Sequence, residues 1–474
     1  VKQESARFLD SARDALADPV LQGNIRALSV DLPEARDNAI AQLGQFPELR
    51  RYLKRVRDHT FENIDHYLAR YEQRVVLNGG HVHWAEDAEE LNRIVLDICR
   101  RVEARHVGKG KSMITEETAL SEHLREAGLQ VTETDLGEYI VQIAEEPPSH
   151  IVGPAIHKSV DEIRGLFLDK HELGPRELED STAMVREARQ VLRERFLGAD
   201  VGIVGSNALI AENGMSMLVT NEGNGDLVST LPRVHIVCAS IDKVLPRSQD
   251  ATVLLRLLAR SSIGAPSGAY TSFYSGPRRE QDLDGPEEFH VVLLDNRRRE
   301  IVGGEFQDIL ACMRCGACLN HCPIYMGVGG HAYGWVYSGP MGSVLTPLLT
   351  SLEESRHLPN ACTACGRCAE VCPAEIPLPD LLRDLRAMEQ QRKLSPARWR
   401  WGIKLHGWLS RSPRLYRLFT RIGIKLLHVL GRREGVLKSL FIDNGWTRVR
   451  DFPAPQGGTF TSQWRRVRKR AGRE

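Results

Sequence analysis

The spacing of apolar positions changes character along the chain. Up to about residue 74 it recurs every three to four residues, as at Leu49, Tyr52, Leu53 and Val56, and no strand pattern interrupts it. This predicts an N-terminal helical region over 1–74. From 75 to 300, short β-rich runs alternate with helical ones. The predicted strands are "VVLNG" from Val75, "LQVTETD" from Leu129, "YIVQIA" from Tyr139, "HIVGPAI" from His150, "VGIVGSN" from Val201, "SMLVTN" from Ser216, "VHIVCAS" from Val234, "YTSFYSG" from Tyr270 and "FHVVLLD" from Phe289. The predicted helices include Asp87–Glu103, Glu117–Ala127, Ala183–Phe196 and Ile241–Ala259. Such alternation predicts an α/β fold with a largely parallel sheet. Residues 301–384 leave little room for a core of their own. In the last segment, 385–474, Leu415, Leu418, Phe419, Ile422 and Leu426 form one helical stripe, and Arg414, Arg417, Arg421 and Lys425 form the neighbouring one.

Composition adds less than charge does. At 42% hydrophobic and 26% charged residues the chain reads as ordinary globular protein, and its 474 residues call for more than one domain. No apolar run reaches the roughly eighteen residues of a membrane span. The first residues are polar and lack the apolar core of a secretory signal, so a reducing, cytoplasmic setting is expected. There, clustered cysteines read as metal ligands. The net charge of +1 hides an asymmetry: from Gln391 onward there are 21 Lys/Arg against 4 Asp/Glu, and five of the seven tryptophans. A basic extension on an acidic body suits a partner, a membrane face or the body itself.

Eight of the ten cysteines fall in two runs, "CMRCGACLNHCP" from Cys312 and "CTACGRCAEVCP" from Cys362. Each has the form C-x2-C-x2-C-x3-C-P, the spacing of bacterial two-cluster ferredoxins. Three close thiolates wrap three corners of an iron–sulfur cube, and the fourth cysteine of each run ligates the other cluster. The expected ligand sets for two [4Fe–4S] clusters are Cys312, Cys315, Cys318 and Cys372, and Cys362, Cys365, Cys368 and Cys322. Structural zinc would instead use pairs of C-x2-C knuckles. Cys99 and Cys238 lie in apolar runs and read as core residues. All-cysteine ligation leaves no open iron, which favours electron transfer over substrate chemistry at the metal.

Other motifs weigh less. "GKGKSM" at Gly108 resembles a phosphate loop, but the glycine that pattern needs is replaced by Arg105, and no strand is predicted to lead into it. No G-x-G-x-x-G follows a predicted strand, so a nicotinamide or flavin site is not supported. No adjacent cysteine pair exists. "GSNALIAENGMSMLVTNEGNGDL" places Asn207, Glu212, Asn213, Asn221, Glu222 and Asn224 among glycines, either as hairpin turns or as the lining of a cleft. Lys109, Lys111 and Ser112 suit an anion site or a solvated loop.

"GKGKSMITEE", "TDLGEYIVQIAEEPPSHIVGPAIHK", "TNEGNGDL" and "GGHAYGWVYSGPMGSVLTP", with both cysteine runs, resemble the text of the lactate utilization B family, iron–sulfur subunits of a bacterial L-lactate oxidation system. The resemblance covers about residues 50–450. It implies an α/β domain related to phosphosugar-isomerase and CoA-transferase-like proteins, a two-cluster ferredoxin-like module and a C-terminal extension. It also implies a Cys-Cys-Gly-type iron–sulfur partner subunit and a small partner carrying the same α/β domain. Lys111, Glu212 and Asn221 become its better site candidates. The leading expectation is an electron-transfer subunit of a complex oxidising L-lactate to pyruvate. The alternative makes the α/β domain the catalytic centre and the clusters its electron exit. Nucleic-acid binding is disfavoured because the body is acidic and the extension holds no base-reading module. The extension fits an interfacial helix or a docking surface better, which gives a cytoplasmic protein with peripheral contact at the inner membrane face.

Overall fold

The computed structural model describes residues 3–172, 177–438 and 450–471. It divides into two compact units, Val1–Glu389 and Gln390–Glu474.

The first unit is built on ten strands: β1 His81–Ala85, β2 His106–Lys109, β3 Gln130–Glu133, β4 Val201–Val204, β5 Ala208–Ile210, β6 Met215–Thr220, β7 Val234–Ser240, β8 Val244–Leu245, β9 Tyr270–Tyr274 and β10 Glu288–Leu294. Six form a sheet in the order β1-β10-β7-β4-β2-β3, with every neighbouring pair parallel. Successive residues of β10 point to opposite faces. Val292 and Leu294 pack with Leu91, Val95 and Cys238 on one side. Phe289, Val291 and Leu293 pack with Leu68, Tyr71 and Val75 on the other. Cys99 and Cys238 are fully buried there, as core residues. A smaller sheet, β8-β5-β6-β9, stands beside the first.

The expected α/β class with a parallel sheet is present, but several local expectations change. "VVLNG" is the last turn of a helix, Ile64–Leu77, because Val75 continues the buried stripe of Leu68 and Tyr71. Its strand comes later, as β1. Between them Gly80 packs so close that an added Cβ would lie 2.8 Å from both Phe289 and Val75. "YIVQIA" lies in a helix, Leu136–Ile143, whose first turn is capped by the Asp135 carboxylate accepting from Glu138 N at 3.1 Å. Short apolar runs carry no period that separates strand from buried helix. "HIVGPAI" is a turn: His150 Nδ1 accepts from Val152 N and Gly153 N, which removes those donors from any ladder. Expected helix Ile241–Ala259 opens instead as a 3-10 turn and β8, and the helix runs Ser248–Ile263 after Pro246. Expected helix Glu117–Ala127 is two short ones, Met113–Glu117 and Leu120–Glu126, broken at Ala119 with φ 53°. A strand, β2, does lead into "GKGKSM".

The N-terminal helices belong to the same unit. Ser5 Oγ donates to Tyr333 O, Gln22 Nε2 to Gly327 O and Arg36 Nη2 to Val371 O. The third core joins Phe46, Leu53 and Val56 of the helix Phe46–Glu62 to the small sheet, and includes Met313, Cys315, Ala317 and Val371 from the cysteine runs. The cysteine segment is thus packed on a shared core.

The second unit contains the helices Ala397–Ser410, Pro413–Gly431 and Phe460–Ala471. Trp399, Trp401, Trp408, Leu418, Phe419, Ile422 and Leu426 are all more than half exposed. Among the described residues no helix is long and apolar enough to cross a membrane.

Buried charge closes the first unit. Arg298, fully buried, donates through Nη1 and Nη2 to both oxygens of Glu117 at 2.9 and 2.7 Å and through Nε to Asp242 at 2.9 Å. Truncating the guanidinium strands two buried carboxylates. Arg298→Met is therefore expected to lower unfolding stability by about 3–5 kcal/mol, measured by urea denaturation. A midpoint equal to that of the parent would show that the network carries no weight.

Candidate functional site

The two cysteine runs fold alike. Cys312 and Cys362 are extended (ψ 119° and 130°), Arg314 and Ala364 are left-handed (φ 60° and 56°), and Gly316 and Gly366 follow at φ 78° and 82°. Left-handed backbone without glycine is uncommon, and here it recurs at equivalent positions. It turns each loop around its own sulfurs. Arg314 N donates to Cys312 Sγ at 3.4 Å and Ala364 N to Cys362 Sγ at 3.3 Å. Short helices, Ala317–Asn320 and Arg367–Val371, then carry the third cysteine of each run and deliver the chain to the fourth.

The eight sulfur-bearing residues gather as two fours. Cys312, Cys315, Cys318 and Cys372 line one small cavity. Cys322, Cys362, Cys365 and Cys368 line another. The fourth cysteine of each run therefore stands with the first three of the other. Burial, with the neighbouring sulfurs adding to it, pushes the Cys315 and Cys368 thiols up to about 12. Such thiols ionise only when a cationic centre compensates them.

The surroundings of the two fours differ. Around the first, Arg57 is fully buried; its Nη1 donates to Asp242 O at 2.7 Å, and its Nε and Nη2 have no partner among the described residues. Arg314 lies 5.0 Å from the Tyr337 ring centroid, with Nη1 and Nη2 buried and without a partner among the described residues. Lys243 Nζ donates to Cys312 O at 3.2 Å. The buried guanidinium nitrogens of Arg57 and Arg314 that lack acceptors are costly alone and fit a dianionic thiolate-ligated iron–sulfur cluster. The second four meets Tyr333, Leu358 and Leu382, and its Cys365 is exposed. Arg386, from the helix Leu378–Gln391, holds that loop by donating to Pro359 O and Cys362 O.

A third feature lies at the carboxyl ends of β2 and β4, where open parallel sheets place ligands. A cavity of about 250 Å³ is lined there by Lys111, Asn207, Asn221, Asn224, Lys243 and, from the first cysteine run, Arg314 and Cys315. It brings Lys111 and Asn221 together but not Glu212, whose Oε2 accepts from Ser248 N at 2.9 Å and Ser248 Oγ at 3.0 Å. Lys109 is neither ligand-facing nor solvated. It is buried in β2, with Glu116 at 2.7 Å and Glu133 at 3.0 Å, so it serves protein carboxylates. Sequence reasoning missed Arg57, Lys243 and Arg314. Only Arg314 left a trace, as a cation inside a cysteine run.

A family model described as the LUD domain matches residues 68–294, and one described as a 4Fe-4S dicluster domain matches residues 308–376. A crystal structure of a DUF162 family protein from Deinococcus radiodurans covers 49% of this chain and 98% of its own at 15% identity, but at a TM-score of 0.26 it supports no argument. Lactate utilization protein B of Bacillus velezensis is 40% identical over 477 residues, covering 100% of both chains. Lactate utilization protein B of Bacillus cereus is 38% identical over 473 residues, covering 100% of this chain and 99% of its own. With such identity along its whole length, and with the dicluster match falling on the two cysteine runs, this chain belongs to the lactate utilization protein B family.

Proposed function

We propose that the chain is the electron-transfer subunit of a complex that oxidises L-lactate to pyruvate. It would hold one [4Fe–4S] cluster on Cys312, Cys315, Cys318 and Cys372 and a second on Cys362, Cys365, Cys368 and Cys322. The observation that carries the reading is the meeting of eight cysteines as two crossed fours inside one compact unit. Such clusters, when bound, supply one-electron transfer. The two electrons released by a 2-hydroxy acid would pass singly, and the exposed Cys365 marks the side of exchange with a partner. The partners proposed are a Cys-Cys-Gly-type iron–sulfur subunit and a small subunit with a lactate-utilization domain. A second reading, favoured by the strand-end cavity against Cys315, makes the α/β domain itself the place where the acid is oxidised.

Anaerobically prepared protein is expected to contain about eight irons and eight acid-labile sulfides. Stoichiometric zinc without sulfide would overturn the assignment. Cys322→Ser is expected to damage the cluster held by the second run and spare the other. EPR of the reduced variant decides this, and loss confined to the cluster of Cys312, Cys315 and Cys318 would refute the crossing.

The second unit is proposed to bind an anionic membrane surface. Its helix Pro413–Gly431 exposes Leu418, Phe419, Ile422 and Leu426 beside Arg414, Arg417, Arg421 and Lys425. An apolar stripe flanked by cations suits the interface between headgroups and acyl chains. Changing the four cations to Gln should release the protein from anionic vesicles in co-sedimentation while iron content stays unchanged. Parent binding should also weaken as salt rises to physiological strength. Equal binding by parent and variant at every salt concentration would refute the membrane role.

A further inference from the structure

The strand-end cavity holds more hydrogen-bond donors than the fold uses. Asn224 is only 6% exposed and lines the cavity, and its side-chain amide makes no hydrogen bond to the described residues. Asn207 and Asn221 spend their carbonyl oxygens on Val219 N at 2.8 Å and Ala269 N at 3.1 Å. Their NH2 groups are left without an acceptor among the described residues. Lys243 is 5% exposed and gives one hydrogen to Cys312 O, while the nearest Asp242 oxygen stands 4.0 Å away. Lys111 gives one hydrogen to Val152 O at 2.6 Å. Donors converging on one concave space suit a ligand rich in acceptors.

Size and the remaining lining narrow that ligand. The volume, about 250 Å³, suits a small ligand. Leu218, Leu258 and Ile263 give part of the wall an apolar surface. Glu222 accepts from Leu136 N through Oε2 at 3.1 Å, and its other oxygen can accept from a hydroxyl.

We propose that this cavity binds a small carboxylate bearing a hydroxyl or oxo group at C2, held by Lys111, Lys243 and the amide of Asn224. The choice of a 2-hydroxy or 2-oxo acid rests on the functional reading above; the donor set does not. Cys315 in the wall puts the bound acid beside the first four cysteines.

The test uses full-length, cluster-loaded protein under anaerobic conditions, titrated calorimetrically with L-lactate, pyruvate, inorganic phosphate and propane-1,2-diol. The two acids are expected to bind, and phosphate and the diol are not. Asn224→Asp, which keeps the side chain's shape and reverses its donor, and Lys111→Met should each raise Kd about tenfold or more, at unchanged iron content and thermal midpoint. Pyruvate should alter the EPR signal of the cluster on Cys315 and leave the other signal unchanged. Fully loaded, reducible protein that binds neither acid would overturn this inference and leave the electron-transfer reading standing. Binding of the acids by protein that cannot hold clusters would do the reverse. Binding of phosphate alone, or equal affinities in parent and both variants, would also overturn it.

Discussion

One buried guanidinium organises the region where the chemistry is assembled. Arg298 follows β10, Glu117 closes the short helix after β2, and Asp242 follows β7. Arg298 binds both carboxylates, and so fixes the exits of three parallel strands relative to one another. Glu117 also accepts from Asn296 and from Tyr337 OH, and Tyr337 belongs to the segment between the two cysteine runs. Although burial alone would raise it, the Glu117 carboxyl is held below its usual range by the Arg298 guanidinium. The charge is therefore satisfied only while sheet and cysteine segment are assembled together. Buried pairs of this kind add little net stability but penalise every arrangement in which one member is missing.

The shared core has the same consequence for the metal loops. A ferredoxin-like segment of this length buries little apolar surface by itself. Here Met313, Cys315, Ala317 and Val371 pack with Phe46, Leu53, Val56, Leu254 and Leu257. Helices from the start of the chain and the helix after β8 thus supply the packing that the cysteine loops lack. The N-terminal helices therefore group with the rest of the first unit, and the loop of the first four cysteines is shaped by a core that they help to build.

What the sequence made legible follows from how local each signal is. The strands β4, β7 and β10 are buried on both faces, so their continuous apolar runs announce them. Cysteine spacing is likewise legible because ligand geometry is set within a few residues. β2 was hidden: its four residues include a glycine and Lys109, whose charge is tolerated there only because Glu116 and Glu133 arrive from elsewhere. "YIVQIA" was misread because its helix is two turns long and mostly apolar. Arg57 and Lys243 stand hundreds of residues or several elements away from the cysteines they approach, so no motif could contain them. Of the weak site candidates, Lys111 and Asn221 share a cavity while Glu212 caps a helix, a distinction that only tertiary structure makes.

The unequal surroundings of the two proposed clusters bear on how they would work together. Reduction adds a negative charge, and burial away from water opposes it, so a deeply placed cluster is harder to reduce than an exposed one. The first four cysteines include the buried Cys315, Cys318 and Cys372; the second four include the exposed Cys365. Left alone, that difference would make the inner of the two proposed clusters the harder one to reduce. Arg57, Lys243 and Arg314 stand around the inner four, and the nitrogens of Arg57 and Arg314 that have no partner among the described residues would favour the more negative state there, while the outer loop is met by Arg386. Cation placement thus offsets burial where burial is greatest. In the proposed relay this would bring the two potentials closer together, the condition under which single electrons pass two steps without stalling at either.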